Sequence, residues 1–109
     1  MTTISPDRDL VTLINVFQVD PARQQELVEV LVGATESVIS AMPGYVSANI
    51  HRSLDGSRVA NYAQWESREA FEAMLRRPEA QPHLEAASRL ATAAPVLYEV
   101  VFSHPTGDH

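Results

Sequence analysis

The stretch NYAQWES, Asn61 to Ser67, sets a carboxamide and an indole four residues apart in a run that otherwise reads as core strand. Side chains alternate along a strand with period two, so Asn61 and Trp65 share a face. An aromatic ring there is ordinary. A carboxamide must find a partner or face a cavity, because burying it unpaired costs roughly 1–3 kcal/mol. A carboxamide and an indole N–H are both hydrogen-bonding groups. Whether the imidazole of His51 joins them on that face depends on the hairpin register. A two-residue loop at Asp55-Gly56 pairs residue 50 with 61 and sends His51 to the other face. A three- or five-residue loop pairs 51 with 61 and makes all three converge. Asp55-Gly56 at the central positions favours the even loop, and the sequence leaves the choice open. On the plainer reading Asn61 bonds a backbone carbonyl, Trp65 is core and His51 meets solvent.

Two further polar groups stand in apolar surroundings. Asn15 lies between Ile14 and Val16, although strand interiors disfavour asparagine, so it marks a pocket, an interface or a local structural bond. His83 precedes Leu84 on a helix face and would border a cavity or sit half-exposed. His83, His104 and His109 are not spaced i, i+4 from one another and no carboxylate cluster accompanies them, so no metal site is expected. No serine or threonine stands in a nucleophile motif, and neither GxGxxG nor a P-loop is present, which removes nucleotide, flavin and nicotinamide sites of those designs. The Arg76-Arg77 pair reads as a solvated helix end.

The elements that must position these groups follow from periodicity. Leu10–Val19 is β-branched and apolar, a central strand. Asp20 is a good N-cap and Pro21 fits the first helical position, predicting a helix from Pro21 to about Met42 stopped by Pro43-Gly44. Its apolar arc (Leu27, Val28, Val30, Leu31, Val32, Ala34, Val38, Ile39, Ala41 and Met42) spans roughly 200°, wider than the ~100° stripe of a surface helix. A second helix, a cavity or a partner subunit would cover the excess. Tyr45–Ser53 and Arg58–Glu66 form a hairpin. Ser67 caps a short helix with Ala70, Phe71, Met74 and Leu75 inward, and Pro78 breaks it. Residues 79–94 supply another helix with Leu84, Ala87, Leu90, Ala91 and Ala94 on one side; Pro95–Ser103 is a last strand. The order β-α-β-β-α-α-β is an α+β, ferredoxin-like arrangement, an antiparallel sheet with helices on one face. Residues 1–9 are expected to fray, residues 10–103 to form one domain, and 104–109 to be a tail.

Composition bounds the partners. At 109 residues with 45% hydrophobic and 20% charged side chains, the chain fits one globular domain. No run of ~18 apolar residues could span a membrane, and the N-terminus has no export signal. Without cysteine there is no disulfide or thiolate, and a cytoplasmic setting is the default. The net charge of −6 argues against a nucleic-acid partner. All basic residues are arginine, so Schiff-base chemistry is excluded. Neither the first nor the last strand alternates cleanly: Leu10, Thr12, Ile14 and Val16 oppose Val11, Leu13, Asn15 and Phe17 on the first, and Val96, Tyr98, Val100 and Phe102 alternate with Leu97, Glu99, Val101 and Ser103 on the last. Whichever face the helices leave uncovered is therefore too apolar for water, and a homodimer closed sheet to sheet is expected.

Layout and motif together resemble the antibiotic biosynthesis monooxygenase family, small dimeric α/β-barrel proteins of ferredoxin-like topology. The resemblance runs from Leu10 to Ser103 and is most specific over PGYVSANIHRSLDGSRVANYAQWESREAF, residues 43–71. This segment looks like the quinone-forming members of actinobacterial aromatic polyketide pathways. The resemblance implies oxidation of a phenol or anthrone to a quinone by O2 without any cofactor or metal. It implies a pocket between helices and sheet, with Asn61, Trp65 and His51 as the catalytic trio and therefore the odd-loop register. Phe71, Met74, His83 and Asn15 would hold the aromatic substrate. Two positions depart from that pattern: Phe71 stands where a tyrosine is expected, and Glu85 where an arginine is. Those replacements motivate a rival reading as a non-catalytic aromatic-binding dimer. A haem-degrading group of the same fold uses an asparagine, a tryptophan and a histidine at positions resembling Asn15, Met74 and His83, so one of its three residues is missing here.

Overall fold

The computed structural model describes Ile4 and residues 9–105. Most of the expected fraying at 1–9, the end of the tail and His109 lie outside the described residues. Four strands form one antiparallel sheet in the order β2-β3-β1-β4: β1 Val11–Val19, β2 Tyr45–Arg52, β3 Arg58–Trp65 and β4 Ala91–Tyr98. Three helices, α1 Gln24–Ser37, α2 Arg68–Arg76 and α3 Gln81–Leu90, complete the expected ferredoxin-like order. Leu13, Phe17 and Val19 of β1 and Val59, Ala63 and Trp65 of β3 are buried with Leu27, Phe71, Met74 and Ala87 of the helices. The central strand is β-branched and apolar because both its neighbours and the helices above it exclude water.

The first helix is shorter than its sequence predicts. Asp20 does cap, accepting from Ala22 N–H at 2.9 Å, but Pro21–Arg23 is a 3₁₀ turn and α1 ends at Ser37. Thr35 and Ser37 donate back to the carbonyls of Leu31 and Gly33 at 2.8 and 2.6 Å, a local competition that loosens a helix end. Val38 then turns out of helical geometry (φ −133°) into a second 3₁₀ turn, Ile39–Ala41. Val32 and Ala41, placed on the inward arc by periodicity, are exposed, so the covered stripe is narrower than the sequence suggests. At Gly44 the backbone is left-handed (φ 85°), and a Cβ there would run into Ala70. Its carbonyl accepts from Glu66 N–H at 2.8 Å, bringing β2 and the β3–α2 junction together.

The hairpin resolves the open question of register. Ile50 pairs with Asn61, His51 with Ala60 and Arg52 with Val59. Ser53 N–H closes the loop on the Arg58 carbonyl at 2.9 Å, leaving the even-numbered segment 54–57 at the tip, with Gly56 left-handed at φ 85°. Asp55 organises that tip. Its carboxylate accepts from the Ser57 N–H, the Ser57 hydroxyl and the Ser53 hydroxyl at 2.7 to 2.9 Å. These bonds, the Ser57 backbone first, hold its pKa at about 2. Gln24 ties the hairpin to α1 by donating to the carbonyls of Ser53 and Arg58 at 3.1 and 2.9 Å.

Ser67 caps α2 as expected, accepting from Ala70 N–H at 3.0 Å. The largest difference comes last: α3 stops at Leu90 and β4 occupies Ala91–Tyr98, not Pro95–Ser103. The run Ala91–Ala94 has helical propensity, but the residue before a proline is pushed to extended geometry, and pairing with β1 from Val19↔Ala91 to Thr12↔Tyr98 outweighs so weak a preference. Pro95 is tolerated because β4 is an edge strand. Ala91 and Ala94 therefore belong to the sheet, and Leu75, expected inward, is 39% exposed.

Candidate active site

A cavity of about 210 Å³ lies between the helices and the covered sheet face. Its floor is the central pair of strands: Asn15 of β1 and Asn61 of β3 stand directly opposite each other in the ladder. Phe71 and Met74 of α2, with His83, Leu84 and Ala87 of α3, form one side, and Leu31 and Ala34 of α1 another. On β4 the small side chains of Ala91 and Ala93 and the ring of Pro95 leave the remaining space. The walls are thus apolar, with a few polar groups aimed inward, which is the general form of a small-molecule site.

The two carboxamides differ in what they hold. Asn15 Oδ1 accepts from the Ala94 N–H at 3.2 Å, so its oxygen serves the β1–β4 junction beside Pro95, which has no N–H to give. Asn61 Oδ1 is buried and meets no donor among the described residues. Leaving an acceptor in that state costs about 1–3 kcal/mol, and the residue that bears it is part of the cavity lining.

The expected trio does not assemble. Because residue 50 opposes 61, His51 projects from the opposite face of the sheet, exposed, with Nδ1 3.1 Å from the Asn49 carbonyl. The odd-loop register implied by the family resemblance is corrected here, since Asp55 and Gly56 close an even loop. Trp65 does share the covered face with Asn61, but it is 1% exposed and stands behind the cavity wall. Its ring packs edge-on against Tyr45 (centroids 5.8 Å apart) and Phe71 (6.0 Å), so it reaches the cavity through Phe71, which it braces. Phe71, Met74, His83 and Asn15 all line the cavity. Glu85 does not; it is exposed and pairs with Arg89 at 3.8 Å. No guanidinium therefore replaces the arginine of the family pattern on this wall. Among the described residues no three His, Asp or Glu side chains gather as a metal site, and no helix is long and apolar enough to cross a membrane.

Sequence reading missed the contribution of β4. The signal was present as the small-residue run ATAAP, but its helical propensity concealed that alternate members open onto a cavity.

The opposite sheet face carries Ile14, Val16, Ala60, Tyr62, Val96 and Tyr98 together with polar Ser47, Asn49, Gln64 and His51. Val96 and Tyr98 are about half-exposed, and Val101 and Phe102 beyond the strand are more so. Polar and apolar side chains mix on this face, with Ser47 donating to Gln64 at 2.9 Å.

The family model for antibiotic biosynthesis monooxygenase matches residues 10–86. The chain is 48% identical over 103 residues to tetracenomycin-F1 monooxygenase of Streptomyces glaucescens, covering 94% of this chain and 92% of that one. Among solved structures it is similar to the monooxygenase from the gene ActVA-Orf6 of Streptomyces coelicolor in complex with nanaomycin D (TM-score 0.78, 33% identity, 94% of this chain and 96% of that one). It is also similar to SnoaB, a cofactor-independent oxygenase from Streptomyces nogalater (TM-score 0.77, 28% identity, 89% and 98%).

Proposed function

The chain belongs to the antibiotic biosynthesis monooxygenase family, and from that premise we propose that it oxidises a polycyclic phenol or anthrone to a quinone with O2, without cofactor, in an aromatic polyketide pathway. The observation that carries this reading is Asn61, a carboxamide that lines an apolar cavity and whose buried Oδ1 has no donor among the described residues. A phenolic O–H is the complement of that group, and a flat ring is the complement of walls built from Phe71, Met74 and Leu31. The similarity to a tetracenomycin-F1 monooxygenase and to a structure holding nanaomycin D supports the same substrate class.

An electron-rich phenolate or carbanion can pass one electron to triplet O2, which avoids the spin barrier without flavin or metal. The protein's part is to remove a proton, fix the ring and stabilise the anions that form. Asn61 orients the ring oxygen; Phe71, held by Trp65, and Met74 clamp the ring faces. An apolar cavity of 150 Å³ accepts benzene, so about 210 Å³ holds roughly two fused rings. The reacting end of a larger polycycle enters and the rest extends through the mouth. We place the reaction in the cytoplasm, in keeping with a cysteine-free chain. A homodimer closed through the Val96 and Tyr98 face completes the reading, and sedimentation as a monomer at micromolar concentration would remove that part.

An oxygen electrode with a panel of anthrones and hydroquinones tests the main proposal. One O2 should disappear per quinone formed, with no metal or flavin added. Uptake no faster than buffer alone across the panel defeats it. A haem-degrading alternative has one observation in its favour, since Asn15 and His83 line the same cavity. Met74 in place of the tryptophan counts against it. No Soret shift on mixing with haemin closes that alternative.

A further inference from the structure

Cofactor-free oxidation by O2 cannot begin until a base takes a proton from the substrate, and the cavity offers very few bases. The side chains that β1, β3, β4, α1 and α2 contribute to its wall are aliphatic, aromatic, thioether or carboxamide, none of which exchanges a proton near neutral pH. α3 contributes His83 and Ser88. The Ser88 hydroxyl is donated to the Glu85 carbonyl at 2.9 Å. The charged residues of α3, Glu85 and Arg89, pair with each other away from the wall. His51, the base implied by the family resemblance, is on the reverse of the sheet. His83 is therefore the one titratable side chain among the described residues lining the cavity. It is half-buried and belongs to a different wall from Asn61.

We infer that His83 is the general base and acid of this site, a step deeper than the quinone-forming reading and resting on it. The imidazole takes a proton from the substrate's methylene or from the phenol that is its tautomer. The anion passes one electron to O2, and the resulting radical and superoxide join through a new C–O bond to give a peroxide anion. The imidazolium returns its proton to the terminal peroxide oxygen. In the last step the imidazole takes the remaining hydrogen on that carbon as a proton while the O–O bond breaks. The C=O forms, and the departing hydroxide leaves with that proton as water. Overall CH2 and O2 become C=O and H2O: the carbon gives up four electrons, O2 accepts all four, and no further reductant is needed.

The test compares wild type with His83→Gln and His83→Ala, measuring anthrone binding without O2 by fluorescence and turnover by O2 uptake. Binding should change by no more than about threefold while kcat falls about 10²- to 10⁴-fold, the usual worth of a positioned acid–base group. Added imidazole should restore part of the His83→Ala rate. The rate of His83→Gln should rise with pH along the substrate's own ionisation, whereas wild type reaches its plateau at lower pH. A His83→Gln enzyme with kcat within about threefold of wild type and the same pH profile overturns the inference while leaving the quinone-forming reading intact. If His83→Gln loses binding, imidazole rescue of His83→Ala decides: recovery supports the role and none refutes it. Absence of O2 uptake by wild type defeats the parent reading itself, and the role of His83 with it.

Discussion

The two faces of this sheet are built from the same strands and have different fates. On the covered face, Leu13, Phe17, Val59, Ala63 and Trp65 are packed under helices, and the polar exceptions Asn15 and Asn61 stand side by side under a cavity. On the open face, one residue away along each strand, polar and apolar side chains mix and His51 meets solvent beside Ala60. A single step in sequence thus separates a group that can touch a bound ring from one that cannot. Chemistry in such a fold is assigned by register before it is assigned by residue type.

Perturbing the covered face should do the most damage. Trp65→Ala removes a fully buried ring that braces Tyr45 and Phe71, and a loss of about 3–5 kcal/mol in urea unfolding is expected. A loss under ~1 kcal/mol would mean that the ring does not brace the wall. Asn61→Ala should cut quinone formation at least about tenfold while leaving the melting temperature unchanged or raised, because it deletes an acceptor with no donor among the described residues. A variant that loses stability and keeps activity would reverse the meaning given to that oxygen. His51→Ala, on the open face, should alter kcat/KM by less than about twofold; a large loss confined to kcat would show that the opposite face supplies the site.

The smallest effect concerns the turn that fixes which residue faces where. The Asp55 pKa is lowered from 3.8 to about 2 in the folded chain, so its contribution is present above the unfolded value and fades as pH falls through the folded one. Asp55→Asn should therefore lower stability modestly at pH 6, and the gap from wild type should close between pH 4 and 2. A gap independent of pH would detach the carboxylate from the hairpin's register.

Much of the scaffold was legible because it depends on local patterns. Apolar β-branched runs located β1 and the hairpin, Ser67 announced α2, and Asp55-Gly56 announced an even turn. Asn61 and Asn15 stand out in the sequence for the same reason, since a carboxamide inside an apolar strand must be answered by something, and both line the cavity. Legibility failed where preferences of similar size compete. Ala91–Ala94 has helical propensity, yet long-range pairing with β1 made it a strand, and Thr35 and Ser37 shortened α1 through bonds to its own carbonyls.

Residue spacing by itself determined that Asn61 and Trp65 look the same way, because alternation along a strand is a local property. It also determined that His51 has a choice of two faces and no more. The local turn at Asp55-Gly56 favoured the face that His51 took, and the hairpin closed that way. Which side chains surround the space beneath the helices only tertiary structure could decide, because it depends on where α3 gives way to β4, and that is settled by pairing between residues far apart in the chain. Placing His83 and Asn61 on the wall of one cavity is a consequence of that packing, which no pattern within either segment encodes.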